Sequence, residues 1–202
     1  MCFVLLLVVG PVVSQNHPAV SSLNTTLYAG RWYQVYGSHC LPIVHRCLEL
    51  GGQCVTADYG RLTRADVLTV QNAVMIPDAG VIKVNGYAIV NPRHAGELSV
   101  HLGPPSHSPD PAKPREFRSS NYAVIGLGPV VADAYDYALI ADGSLGWYVL
   151  ARNTSRFEAR YEAAVLQQLE ELNFTRFFMR PSKTNQTNCE YAPPPTTLVL
   201  PP

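Results

Sequence analysis

Charged residues are scarce in this 202-residue chain, and neither sign is in excess. Lysine plus arginine and aspartate plus glutamate each number 15, so charged residues make up 15% of the chain and the formal net charge is zero. An average soluble domain contains roughly 25% charged residues. Without a basic surplus the chain lacks the electrostatic footprint of a nucleic-acid-binding protein, which excludes that class. The apolar fraction of 47% also excludes an intrinsically disordered chain.

Long apolar runs are missing as well. No stretch reaches the ~18 residues that a membrane-spanning helix needs, so no transmembrane segment is expected. The apolar segment Met1–Ser14 carries no charged side chain, and Phe3–Val9 has about the length of a signal-peptide core. We predict a signal peptide at residues 1–14 and one domain at residues 15–190. A buried N-terminal strand or helix is the alternative.

Cysteine is rare, and its count supports export. Of five cysteines Cys2 leaves with the signal peptide, and an even set remains that can pair in three ways in an oxidising compartment: Cys40, Cys47, Cys54 and Cys189. Four Asn-x-Ser/Thr sequons predict glycosylation, at Asn24, Asn153, Asn173 and Asn185. Together these features indicate a secreted, extracellular glycoprotein.

Recognisable catalytic and metal-binding motifs are absent from the sequence. It contains no Gly-x-Ser-x-Gly elbow, His-Glu-x-x-His motif or phosphate-binding glycine loop. His39-Cys40 and His45-x-Cys47 contain zinc-type ligands, but their spacing fits no zinc pattern and secretion favours a disulfide there. We therefore predict no catalytic residue, no metal and no cofactor.

Short runs of β-branched and aromatic residues, broken by turn signals, occupy the middle of the chain. They predict eight strands, at Arg31–Gly37, Cys54–Gly60, Val67–Ala73, Val81–Val90, Glu97–Leu102, Tyr122–Leu127, Tyr137–Ala141 and Trp147–Arg152. Eight short strands at near-regular spacing favour an up-and-down barrel or a sandwich.

Three other segments lack this strand pattern. Gly103–Ser120 is rich in proline and serine and predicts a long surface loop or flap. After the eighth strand, apolar residues from Phe157 to Leu172 recur every three to four positions and predict one amphipathic helix. Ser155 and Glu158 fit a capping box at its start. The proline-rich residues 191–202 predict a disordered tail.

Three motifs carry a family resemblance: Gly30-Arg31-Trp32-Tyr33, Tyr135-Asp136-Tyr137-Ala138-Leu139 and Trp147–Asn153. Their order and spacing resemble the three signature regions of the lipocalins. The chain is similar in particular to the subgroup that contains apolipoprotein D and the bacterial outer-membrane lipocalin, from about Leu27 to Cys189. The resemblance implies an eight-stranded antiparallel up-and-down β-barrel with a C-terminal α-helix packed on it. It further implies a secreted carrier of a small hydrophobic ligand, such as a lipid, fatty acid, retinoid, carotenoid or tetrapyrrole.

The resemblance also assigns structural roles. The signature residues are Gly30, Trp32, Asp136, Tyr137 and Arg152. The Arg152 guanidinium is expected over the face of Trp32, filling the narrow end of the barrel, and Asp136 is expected to brace a loop rather than act as a general base. A disulfide Cys54–Cys189 is implied, which leaves Cys40–Cys47 as a local pair that departs from the family pattern. Gly128–Ala134 is longer than the family norm.

Cavity-facing residues follow from strand alternation, because alternate residues of a barrel strand face inward. Arg152 at the floor places Tyr148 and Leu150 inward, and Tyr59 matches a cavity-facing aromatic of the subgroup, together with Val55. Leu68, Val70 and Asn72 lie on the same face of the third predicted strand. The predicted ligand-binding set is Ala57, Tyr59, Leu68, Val70, Leu98, Val100, Leu102, Tyr148 and Leu150. A filled barrel core is the alternative.

Two other functions remain open at this point. Some lipocalins are isomerases that use a reactive thiol inside the barrel, which requires an unpaired, activated cysteine. Alternatively, the chain is a ligand-poor extracellular protein whose open-end loops bind a partner such as a cell-surface receptor. A free thiol would favour the first, and a barrel that stays empty would favour the second.

Overall fold

A computed structural model describes residues 19–38, 52–62, 64–142, 146–174 and 180–195. The predicted signal peptide and the Cys40–Cys47 pair lie outside the described residues. In chain order the elements are α1 (Thr25–Tyr28), β1 (Gly30–Ser38), β2 (Gln53–Arg61), β3 (Val67–Ile76), β4 (Gly80–Val90), β5 (Glu97–Gly103), a 3-10 turn (Pro105–His107), β6 (Tyr122–Leu127), β7 (Val130–Val131), β8 (Ala134–Tyr135), β9 (Tyr137–Asp142), β10 (Gly146–Ala151), α2 (Thr154–Arg160), α3 (Glu162–Glu171) and β11 (Pro181–Lys183).

The long strands form a closed barrel. Each pairs antiparallel with its neighbour in the order β1 to β6, then β9 and β10, and β10 pairs back onto β1 with Tyr33 opposite Ala151. All eight predicted strands are confirmed, with ends that differ by at most a few residues. The predicted fold, an up-and-down barrel followed by helix, is therefore correct. No helix in the described ranges is long and apolar enough to cross a bilayer.

The sequence pattern did not predict two short β elements. A hairpin of β7 and β8 fills the long segment before β9. Its turn residues Ala132 and Asp133 have φ of 48° and 59°, the left-handed pair typical of a type I′ turn. The three-residue strand β11 pairs with the end of β1. Strands this short contain no measurable periodicity, so sequence alternation could not reveal them.

The predicted helical segment after the eighth strand is confirmed, whereas its continuity and its Ser155–Glu158 capping box are wrong. The apolar pattern belongs to two helices, which meet at Tyr161, where φ is −123° and ψ is −23°. The cap is Asn153, whose side-chain oxygen accepts a hydrogen bond from the Arg156 amide at 2.8 Å. Because α2 begins at Thr154, Ser155 lies within its first turn and is not the N-cap.

The helices cover one outer face of the barrel. Phe157, Val165 and Leu169 pack in a fully buried cluster with Trp147 of β10, whose indole N–H donates to the carbonyl of Phe174 at 3.1 Å. The break at Tyr161 does not interrupt this apolar face, because the Val165 amide still bonds the Tyr161 carbonyl at 2.9 Å.

The loop at residues 103–120 is a surface loop that lies against the outer wall. The Arg115 amide donates to the Tyr87 hydroxyl at 3.0 Å, and Phe117 packs on the small outer cluster formed by Leu62, Val67, Tyr87 and Ile89. These contacts hold the loop to the wall formed by β3 and β4.

The C-terminal segment closes a gap in the barrel wall. The β1–β2 ladder ends at the pair Tyr33 and Thr56. Beyond it, the Gln186 side-chain amide donates to the carbonyls of Gln34 at 2.8 Å and Val55 at 2.9 Å, so it bridges the two strands. The predicted disulfide Cys54–Cys189 is confirmed and fixes this segment to the start of β2.

The first residues of the proline-rich segment pack on the barrel. Tyr191 lies edge-on to Tyr33, with ring centroids 5.0 Å apart. The Ala192 carbonyl accepts a hydrogen bond from the Arg31 guanidinium at 2.7 Å, and the same guanidinium pairs with Asp58 at 2.7 Å. Residues 191 and 192 therefore contact β1 through an aromatic pair and a hydrogen bond.

Candidate ligand-binding site

One end of the barrel is closed by the indole of Trp32 and the guanidinium of Arg152. The guanidinium carbon lies 3.7 Å from the ring centroid of the fully buried Trp32. Its nitrogens donate to four carbonyls of the preceding chain, those of Leu27, Tyr28, Ala29 and Arg31 at 2.6–3.2 Å. Burial lowers the Arg152 pKa to about 10, so the group stays charged at neutral pH.

Gly30 makes this close approach possible. Its φ is +101°, and a Cβ at this position would lie 3.0 Å from a guanidinium nitrogen of Arg152. A larger residue would therefore combine backbone strain with a steric conflict. Gly30 of the first signature motif is therefore required for the placement of Arg152 from the last motif.

Asp136 braces the chain between the β7–β8 hairpin and the helices. Its buried carboxylate accepts hydrogen bonds from Nε and Nη2 of the Arg156 guanidinium, and the bond from Nε is 2.7 Å long. This hydrogen bonding holds the pKa of Asp136 below its ordinary value. A carboxylate paired in this way accepts protons poorly, which suits a structural role. The adjacent Tyr137 packs edge-on against Phe157.

The predicted cavity-facing residues lie almost entirely in one cluster inside the barrel. That cluster contains Ala57, Tyr59, Leu68, Val70, Leu98, Val100, Tyr148 and Leu150. The remaining member, Leu102, lies outside the cluster and is 37% exposed. Its pairing with Gly86, two positions after the pair Val100 and Ala88, nevertheless places it on the inward side of β5. Val55 is buried, outside this cluster.

Burial along the inward face falls steadily from one end of the barrel to the other. On β5, Leu98 is fully buried, Val100 is half-buried and Leu102 is 37% exposed. On β4, Ala88 is fully buried whereas Ile82, on the same face, is 38% exposed. Inward side chains are therefore packed at the closed end and reach solvent near the strand ends at the other. We refer to this solvent-facing end of the interior as the cup.

A group of three tyrosines lies in the packed interior of the barrel, where the ring of Tyr28 is 5.2 Å from Trp32. The Tyr59 hydroxyl donates to that of Tyr122 at 3.0 Å, and the hydroxyls of Tyr28 and Tyr122 lie 2.6 Å apart. Burial raises the pKa of each phenol, that of Tyr59 to about 12. The hydroxyls are thus neutral at physiological pH.

Sequence reasoning found only Tyr59 of this group. Tyr122 alternates with the buried Val124 on β6, and that alternation could have identified it. Tyr28 carries no such signal, because it belongs to the one-turn helix α1 and reaches the interior from the chain end that crosses the closed half.

Asn72 adds an amide to the inward face. It lies opposite Ala57 of β2 and Val84 of β4, two positions beyond the buried Val70. Its side-chain oxygen is buried and makes no hydrogen bond to a described residue. A buried polar atom without a partner costs about 1–3 kcal/mol, so this amide can bind a polar group that enters the cup.

Charge is nearly absent from the inward face. Among the described strands, only Arg61 and Asp142 are charged at inward positions, and both lie at strand ends. The cup therefore offers apolar walls with neutral hydrogen-bonding groups.

The closed eight-stranded antiparallel barrel with one helical segment after it has the lipocalin fold. Solved structures similar to this chain are lipocalins. One is apocrustacyanin C1, with a TM-score of 0.51, 19% identity and 83% of both chains covered. Another is insecticyanin from the tobacco hornworm Manduca sexta, with a TM-score of 0.51, 11% identity and 85% of both chains covered. No protein-family model and no curated protein matches the sequence.

Proposed function

We propose that this protein is a secreted lipocalin that carries one neutral, apolar small molecule in the open half of its barrel. The observation that supports this proposal most is the burial gradient on the inward face, from the fully buried Leu98 to the 37% exposed Leu102. Apolar side chains exposed inside a cup lose water when a ligand enters, which stabilises the complex by roughly 25 cal/mol per Å². We also infer that the chain belongs to the apolipoprotein D and bacterial lipocalin subgroup.

The chemistry of the cup narrows the ligand class. A charged head group would have to leave water without an oppositely charged partner, because the inward face of the described strands is uncharged between its ends. A ligand hydroxyl, by contrast, can donate to the buried side-chain oxygen of Asn72, which has no partner among the described residues. We therefore favour a retinoid or carotenoid alcohol over a fatty acid or a tetrapyrrole with free carboxylates.

Export and glycosylation are part of the same proposal. The Cys54–Cys189 disulfide is a feature of oxidising compartments. The side chains of all four sequon asparagines are exposed, which is compatible with glycans at each. We infer that the protein acts outside the cell, after removal of the N-terminal segment.

Catalysis is not part of the proposal. Cys54 and Cys189 are joined in the disulfide, so neither can be the free thiol that a lipocalin isomerase needs. Titration of denatured, non-reduced secreted protein should find no free thiol. One reactive thiol per chain would return the isomerase hypothesis to consideration.

The direct test is native mass spectrometry of the mature protein purified from its own source, followed by solvent extraction and an absorption spectrum. We expect a bound neutral molecule that is lost on denaturation, and its mass and spectrum identify the class. A barrel that is empty and also fails to bind a panel of retinoids, carotenoids and sterols would contradict the proposal. It would favour an extracellular protein that binds a receptor through its loops.

A further inference from the structure

A polar groove runs along the outside of the barrel, remote from the cup. Its larger part, of about 590 Å³, lies between the start of α2 and the segment Lys183–Asn188. Its smaller part, of about 290 Å³, continues past Thr154 and Ser155 to Tyr33 and Tyr191. The larger part falls within the roughly 300–1,000 Å³ that small-molecule sites occupy.

The lining of this groove suits a carbohydrate. Hydroxyl and amide side chains dominate both walls, including Thr154, Thr187 and Asn188. The aromatic pair of Tyr33 and Tyr191 lies at one end. Sugars present hydroxyls that both donate and accept hydrogen bonds, and amides and hydroxyls match them in both roles. Aromatic rings supply apolar contact for the faces of sugar rings.

The charges of the groove are already paired, which argues against an ionic ligand. Lys183 lies 3.1 Å from Glu158 and 3.0 Å from Glu162. At the other end, the Arg152 guanidinium is occupied by backbone carbonyls. A neutral polyhydroxyl molecule therefore fits the walls better than a phosphate or a carboxylate does.

Two sequon asparagines border the groove, Asn153 at its narrow end and Asn185 on its wall. The Asn153 oxygen caps α2 through the Arg156 amide at 2.8 Å, while its amide nitrogen bonds to no described residue. Since an N-glycan is attached at that nitrogen, modification leaves the cap intact. The Asn185 nitrogen, in contrast, donates to the side-chain oxygen of Gln53 at 2.8 Å.

We propose that Asn153 carries an N-glycan whose first sugars lie in this groove and bridge α2 to the C-terminal segment. The proposal rests on the export proposed above, because N-glycans are added in the secretory pathway. It is independent of what the cup binds. A docked glycan would hold residues 183–188 against the barrel in addition to the disulfide at Cys189.

The test uses the full chain, secreted by cultured animal cells, and measures removal of each glycan by a peptide N-glycosidase. Asn24 is the internal control, because it is exposed and also caps a helix, through the Thr26 amide at 2.9 Å, but borders neither part of the groove. Under native conditions release at Asn153 should be about tenfold slower than at Asn24, since the sugar must first leave the groove. Denaturation should abolish the difference. If Asn24 carries no glycan, the denatured protein supplies the reference rate.

Matched variants separate the glycan from the side chains around it. Ser155→Ala removes the sequon and Ser155→Thr preserves it, and both leave the Asn153 cap in place. Amide hydrogen exchange in residues 183–188 should be faster in S155A than in S155T, and S155T should match S155A after complete deglycosylation. Tyr191→Ala, which removes one wall of the narrow part, should accelerate release at Asn153.

Three results would overturn the proposal. If the secreted protein carries no glycan at Asn153, the proposal is wrong and the carrier function is unaffected. If native release rates are equal at Asn153 and Asn24, or at native and denatured Asn153, the glycan is not docked in the groove. A chain retained in the cell without any glycan overturns both this proposal and the export on which it depends.

Discussion

The hydroxyl of Tyr59 donates to the hydroxyl of Tyr122 at 3.0 Å across the interior of the barrel, joining β2 to β6. These strands are not neighbours in the wall, so the bond links two parts of the sheet that no ladder connects. Tyr28 completes the group from the N-terminal side. The rings of Tyr28 and Tyr59 lie 5.1 Å apart, so the group belongs to the packed interior of the barrel.

Removal of the central hydroxyl should destabilise the barrel. Tyr122→Phe leaves the buried Tyr28 and Tyr59 hydroxyls without their partner, at a cost of about 1–3 kcal/mol in the free energy of unfolding. Urea denaturation followed by circular dichroism measures it. Tyr87→Phe is the control, because its hydroxyl accepts one bond from the outer loop and its loss should cost less. Equal costs for the two variants would show that the interior tyrosine hydrogen bonds contribute no more to stability than the single bond accepted by Tyr87.

Alkaline pH should destabilise the fold through the same group. Burial raises the pKa of Tyr59 to about 12, whereas a tyrosine in the unfolded chain ionises near ~10. The unfolded state therefore releases its proton first, and stability that is fully present below pH ~10 is lost as the pH rises towards the folded pKa. Tyrosinate absorbance and circular dichroism, recorded together from neutral to alkaline pH, should change in one transition. In Tyr59→Phe the loss of stability with pH should be shallower, and an unchanged slope would contradict this account.

The cup can be blocked at one inward position. Val84→Trp fills the open half beside Asn72, while Lys83→Trp places the same side chain on the outer face of the same strand. We expect V84W to weaken retinol binding by at least about tenfold, equivalent to about 1.4 kcal/mol. K83W should bind as the unsubstituted protein does. Quenching of tryptophan fluorescence measures both. Equal affinities in the two variants would place the ligand elsewhere.

The stacking on Trp32 at the closed end of the barrel requires an arginine at position 152. Arg152→Lys keeps the charge, but a single ammonium group cannot stack on Trp32 and also donate to four carbonyls. We expect a loss of about 2–3 kcal/mol in the free energy of unfolding, because buried carbonyls lose charged donors. The exposed Arg160→Lys should change stability by less than ~0.5 kcal/mol. A lysine variant as stable as the parent would show that the stacking is dispensable.

The disulfide should stabilise the fold more than the two hydrogen bonds of Gln186 do. Cys54→Ser combined with Cys189→Ser opens a link across 135 residues, which the chain-entropy model values at about 4–5 kcal/mol. Gln186→Ala removes two bridging hydrogen bonds and leaves the disulfide, so it should cost about 1–3 kcal/mol. Thermal unfolding ranks the two variants. A larger effect of Q186A would identify the bridge, rather than the disulfide, as the main restraint.

Most of the fold was readable from local sequence because its strands are runs of β-branched and aromatic residues bounded by turn signals. Strands such as β3 and β4 have this composition and are separated by a turn, which predicted the barrel wall. Elements too short or too irregular for such a signal were missed or misread. β11 is three residues long, and the pattern from Phe157 to Leu172 does not show the backbone break at Tyr161. The cap at Asn153 was assigned to Ser155, because both residue types cap helices and only the backbone decides between them.

The candidate site divides in the same way. The sequence by itself determined which residues face inward, because side-chain direction follows from strand alternation. The resemblance to the lipocalins also implied the Cys54–Cys189 pair and the approach of Arg152 to Trp32. Only the tertiary structure decided how full the barrel is. Tyr28 and Tyr122 reach the interior from distant points of the chain, and Leu102 is exposed near the end of β5. Packing density depends on contacts between segments far apart in sequence, and no local pattern records those contacts.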